Sequence, residues 1–132
     1  MFIYTSNSEL VHLSNKGPED FIIIIDKSII GKEELISKIS HGVNSPYLED
    51  NWDGLEEALS DLSWILNGTV RIIHLDLPKL SEGDLKVYVS ILKAVVNGWE
   101  NSDKNVYRQD LKVYFPDSLK QRIENMSSTV ML

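Results

Sequence analysis

The chain has 132 residues, 42% of them hydrophobic and 25% charged, with a formal net charge of −7 and no cysteine. That length suits one domain with a single core, the composition is that of an ordinary globular protein, and disulfides and thiolate metal sites are excluded. The early apolar run FIIII is far too short to span a bilayer and lacks signal-peptide flanks, so a cytoplasmic protein is the simplest expectation.

Residues 1–20 carry weak signals. FIYT reads as a short strand and Lys16-Gly17-Pro18 as a turn, and the stretch is expected to form an N-terminal extension. FIIIID is a run of β-branched residues closed by an acid, the pattern of a strand covered on both faces. Beyond Gly31, KEELISKISHGV places Leu35, Ile36, Ile39 and Val43 on one side of a first helix, with Glu33 and Glu34 where the macrodipole favours them. Pro46 interrupts. A second helix starts near Asn51, with Asp50 or Asn51 as N-cap and an apolar stripe of Leu55, Ala58, Leu59, Leu62 and Leu66. Asn67-Gly68 ends it.

TVRIIHLDL reads as a second strand, closed by Pro78. Ser81 and Asp84 have capping-box spacing and open a long helix whose buried side is Leu85, Tyr88, Val89, Leu92, Val95, Val96 and Trp99. NSDKN is a loop, DLKVYF a third strand and SLKQRIEN a short last helix, with 126–132 expected as a disordered tail. The order β-α-α-β-α-β-α implies an α/β fold: a small three-stranded parallel sheet packed with helices, one domain over 1–132.

The charge is concentrated in one place. Between Lys38 and Arg71 there is no lysine or arginine, and the gap holds Glu49, Asp50, Asp53, Glu56, Glu57 and Asp61; without them 14 acids face 13 bases. No basic stripe exists to displace counterions, so direct nucleic-acid binding is not expected. A positively charged protein partner suits the pattern better.

Recognisable chemistry is sparse. No glycine pattern forms a phosphate loop, no serine lies in a nucleophile elbow, and His12, His41 and His74 lack close ligand spacing. No metal and no cofactor are expected. His74 alternates between Ile73 and Leu75 along its strand and reads as a satisfied structural histidine. Asp53 and Glu57, four apart, could work as general acid and base only if burial separated their pKa values, yet they lie opposite Leu55, Leu59 and Leu62.

Asp53, Glu57 and Asp61 repeat at i, i+4, and each pair repels by about a few tenths of a kcal/mol. A solvated face normally mixes signs; this one does not. A solvent-exposed face and a face made for a basic partner both remain open on composition alone. Trp52, off the leucine stripe, is either an interface anchor or a staple onto the first helix. Tyr47 is either a loop anchor or a contact residue. Trp64 is expected to pack partly on the sheet edge, and Trp99 in the core.

Tyr47, Asn51-Trp52-Asp53-Gly54-Leu55, Leu59 and Asp61-Leu62-Ser63-Trp64 closely resemble the second-helix signature of the barstar family, intracellular inhibitors of secreted ribonucleases. The resemblance runs from about Phe21 to Phe115. It implies an immunity protein whose acidic helix plugs the active site of a basic, secreted or delivered ribonuclease toxin in a 1:1 complex, without nucleic acid or membrane. By position, Asp53 and Glu57 would mimic RNA phosphates, Tyr47 would pack on the enzyme, and Glu56 would stand where the family has a tryptophan. The contact set would comprise Tyr47, Glu49, Asp50, Trp52, Asp53, Glu56, Glu57, Ser60, Asp61 and Trp64. Two departures stand out: Glu49 replaces a loop glycine, and the family's acidic contact on the third helix falls on Lys93 or Gly98. A small acid-base hydrolase using Asp53 and Glu57, and an acidic adaptor for a basic protein that is no toxin, are the alternatives.

Overall fold

A computed structural model describes residues 1–15, 21–47, 49–103, 106 and 108–129, with side chains to 126. Its elements run β1 (Ile3–Thr5), α1 (Asn7–Leu13), β2 (Phe21–Ile25), α2 (Lys32–Gly42), α3 (Trp52–Asp61), β3 (Gly68–His74), α4 (Glu82–Glu100), β4 (Gln109–Pro116), a 3-10 turn (Asp117–Leu119) and α5 (Lys120–Thr129). Among the described residues the sheet has four strands, not the expected three, in the order β1-β4-β3-β2. Every pairing is parallel: Phe21 to Ile25 lie beside Val70 to His74, Gly68 to Ile73 beside Gln109 to Tyr114, and Ile3 to Thr5 beside Tyr114 to Pro116.

The fourth strand comes from the segment read as an extension. FIYT does form a strand, but it joins the sheet at the edge beside β4, while the next strand, β2, lies at the opposite edge. The connection therefore crosses one face of the sheet, and α1 covers that face with Leu10 and Leu13 against Ile73 and Tyr114. α1 has an N-cap that the sequence reading passed over: Ser6 Oγ accepts the Glu9 N–H at 3.2 Å. Residues 16–20, including the expected Lys16-Gly17-Pro18 turn, lie outside the described residues.

The other face carries the main core. Ile23, Ile25, Val70, Ile72, Leu111, Val113 and Phe115 meet Leu35, Ile36 and Ile39 of α2, Leu85, Val89, Leu92 and Val96 of α4, and Ile123 and Met126 of α5. The predicted buried positions of α2 and α4 are all buried. β2 is a correction: Ile23 and Ile25 are buried, but Ile22 and Ile24 on the second face are half-buried, because α1 reaches only part of that face, and Phe21, at the start of the strand, is half-buried against the main core. At the C-terminus the expected disordered tail is helical as far as Thr129, with Met126 buried; 130–132 lie outside the described residues. No helix among the described residues is long and apolar enough to cross a membrane.

α3 packs chiefly on α4 and, to a lesser extent, on α2. Leu55, Leu59 and Leu62 are fully buried and Ala58 nearly so. Leu66 is not: at 86% exposure it leaves the stripe, because the helix stops at Asp61 and Leu62 turns into the left-handed region at φ 50°. That turn takes the chain off the helical period, and Ile65 is buried instead of Leu66.

Candidate functional site

The acidic face is built on α3 by ordinary helix chemistry. Asn51 caps it, its Oδ1 accepting the Gly54 N–H at 2.7 Å; the Asn51 amide also donates to Asp50 Oδ1 at 3.1 Å. Gly54 leaves room for the Glu49 side chain. A Cβ there would run into the Glu49 carboxylate and approach Asn51 Oδ1 to 3.3 Å. Glu49 thus has its carboxylate lodged against the first turn of α3, where the helix dipole favours a negative charge.

At the other end the orphan carbonyls of α3 are met by neutral donors. The Trp99 indole N–H donates to the Leu59 carbonyl at 2.8 Å and the Gln109 amide to the Leu62 carbonyl at 3.2 Å. The last turn holds no basic residue. Lysine or arginine commonly fills that role; using an indole and an amide leaves the negative field of the face undiminished.

Asp53, Glu57, Ser60 and Asp61 are exposed and Glu56 is half-buried. Asp61 Oδ2 accepts from Ser63 Oγ at 3.0 Å. None of Glu49, Asp50, Asp53, Glu56, Glu57 or Asp61 forms an ion pair within the described residues. The like charges remain because magnitudes favour the fold: three fully buried leucines contribute about 1.5–3 kcal/mol each, against about a few tenths for each repelling i, i+4 pair.

Two aromatic residues flank the acids. Tyr47, 66% exposed, and half-buried Trp64 line a depression of about 510 Å³ with Glu49, Glu57, Ala58 and Asp61. The Trp64 indole N–H donates to the Val43 carbonyl at 2.8 Å, which ties the end of α3 to the end of α2. The sheet edge expected for Trp64 gives it no such bond. Trp52 is half-buried and stacks on Tyr88 of α4, with ring centroids 6.2 Å apart. Trp99 is in the core as expected.

The structure separates the two candidates for a third-helix contact. Gly98 lines a depression beside α3 with Ser60, Asp61, Val95, Trp99 and Ser102, whereas Lys93 lines a different one with Met1, Phe2 and Tyr4. The α4 flank of the site is therefore glycine and serine, not acid. Among the described residues no group of three or more His, Asp or Glu is placed to hold a metal. His74 is wholly buried and its ring nitrogens are both bonded, to the Tyr114 carbonyl and the Tyr88 hydroxyl. His12 and His41 are exposed, and His41 Nδ1 is 2.8 Å from the Ser37 carbonyl of its own helix.

A family model described as barstar (barnase inhibitor) matches residues 20–112, more than half of the chain. It spans β2, α2, α3, β3, α4 and the start of β4. No curated protein and no solved structure matches the chain.

Proposed function

The chain belongs to the barstar family, whose members inhibit ribonucleases, and from that premise we propose that it is an immunity protein which blocks the active site of a basic bacterial ribonuclease toxin with α3. The observation that carries this reading is the row Asp53, Glu57 and Asp61: exposed, without ion pairs among the described residues, and held outward by a fully buried leucine stripe. Carboxylates preset on a rigid helix meet a phosphate-binding pocket without first having to be ordered. Their field steers a cationic enzyme onto the face. In this reading Asp53 and Glu57 enter the pocket as phosphate mimics, Tyr47 and Trp64 cover its rim, and Glu49 adds a carboxylate where the family's usual loop has none. The complex is 1:1 and forms in the cytoplasm of the cell being protected.

The chain should bind barnase, or the ribonuclease encoded beside its own gene, and co-expression should rescue cells from that enzyme. Asp53→Asn and Glu57→Gln should each weaken binding by about 2–5 kcal/mol, the range for truncating one partner of a buried charge pair, to which the barnase–barstar complex itself contributed measurements. A folded variant of each kind with wild-type affinity, or failure to bind and rescue against both enzymes, would overturn the assignment. An acid-base hydrolase using the same pair is the less favoured reading, since both carboxylates stand exposed.

A further inference from the structure

The two ends of α3 are attached to the fold in different ways. Its C-terminal end receives directional bonds from other elements, Trp99 to the Leu59 carbonyl and Gln109 to the Leu62 carbonyl. Among the described residues its N-terminal end has a local cap, Asn51. Asp53 sits at that end, so its placement depends on how the first turn is held.

The contact there is Trp52, whose indole lies on the ring of Tyr88 with an interplanar angle of 29°. Tyr88 is fully buried, and its hydroxyl is 2.6 Å from His74 Nε2. His74 Nδ1 is in turn 2.8 Å from the Tyr114 carbonyl. A carbonyl can only accept, so Nδ1 carries the proton, Nε2 is the acceptor and Tyr88 is the donor. The far side of the imidazole stacks on Phe115 at 4.1 Å and 14°. The polar atoms of His74 and Tyr88 are all satisfied in one arrangement, and rotation of either ring would leave a buried group without its partner, which is the costly outcome. Leucine and phenylalanine at 74 and 88 would fill similar space without fixing any orientation.

We propose that His74 and Tyr88 are positioning residues for the acidic face: a buried hydrogen-bonded lock that fixes Trp52, and through it the first turn of α3 with Asp53, before a partner arrives. The lock's role in binding rests on the reading of α3 as the partner-binding helix. Its effect on Trp52 can be measured without any partner.

The test uses the full chain labelled with 5-fluorotryptophan, with 19F NMR and amide hydrogen exchange on Tyr88→Phe, His74→Leu and the double variant. Each single change breaks the His74–Tyr88 bond and strands a buried polar atom, whereas the double change removes both partners of that bond and recovers part of the lost stability, the Tyr114 carbonyl alone losing the imidazole N–H. The Trp52 resonance should move or split in all three, with Trp64 and Trp99 unmoved. Exchange at the Gly54 and Leu55 amides, both bonded to Asn51, should quicken at least tenfold and remain fast in the double variant after its thermal stability has partly recovered. That variant should also dissociate several-fold faster from the ribonuclease used for the Asp53 and Glu57 variants. A wild-type Trp52 resonance with unchanged exchange, or effects that vanish as stability recovers, would overturn the lock. The functional reading fails separately: a moved Trp52 resonance together with unchanged binding of Asp53→Asn and Glu57→Gln supports the lock and removes the partner.

Discussion

His74 is the residue whose environment departs most from what a strand pattern conveys. Alternation with Ile73 and Leu75 made it an inward-facing structural histidine; complete burial and two bonding partners followed only from the packing of α4 and β4 around it. Burial holds its pKa down at about 4, partly opposed by the hydrogen bond to the Tyr114 carbonyl. A histidine whose folded pKa lies below its unfolded value near 6.5 favours folding while neutral. Its contribution is therefore complete above about pH 6.5 and is lost as the pH falls toward 4, on the order of 3 kcal/mol in all. Urea midpoints should drop between pH 7 and pH 4, and His74→Gln should flatten that slope. Asp26, held below the ordinary carboxylate range by its hydrogen bonds to Ser28, acts at lower pH and leaves this window clear. Leu62 departs in another way. Its φ of 50° is one that leucine rarely adopts, yet its side chain is fully buried. Leu62→Ala should cost about 2–5 kcal/mol by cavity formation, read from equilibrium unfolding, since alanine inherits the strained backbone without the burial.

At the scale of the element, α3 trades helix stability for charge. Asp61→Lys would replace the repulsion with Glu57 by an attractive i, i+4 pair, with Glu57 on the favourable N-terminal side, and would put a cation in the last turn. Its thermal stability should rise by about 0.5–1 kcal/mol, while its affinity for a cationic ribonuclease falls; a gain in both would show that the face is not under selection for charge. The periodicity of 55–62 was legible because leucines recur at helical spacing with polar residues between them. Leu66 was misread for a physical reason. A periodic pattern carries no mark of where a helix ends when the terminating residue is a left-handed leucine rather than glycine, and the N–H donors from α4 and β4 that meet its last carbonyls are remote in sequence.

For the whole molecule, the main surprise is that residues 1–15 complete the sheet and cover part of its second face. Deleting them would uncover Ile73 and Tyr114 and remove Leu10 and Leu13 from the interior. At about 1.5–3 kcal/mol for each buried leucine, the truncated chain should lose on the order of 3–6 kcal/mol, measured by chemical denaturation. A truncated chain as stable as the full one would make the segment dispensable.

Taken alone, the sequence determined the parallel α/β order from β2 onward, the buried sides of α2 and α4, the leucine stripe as far as Leu62 and the charge asymmetry of α3, because each is written in local spacing. Only the tertiary structure decided that β1 pairs with β4, that Trp52 rests on Tyr88, that Gly98 and not Lys93 borders the acidic face, and that Glu49 lodges against Gly54. Those contacts join residues from different elements or across a loop, and strand pairing and side-chain stacking between them depend on how the elements pack, which no periodicity records.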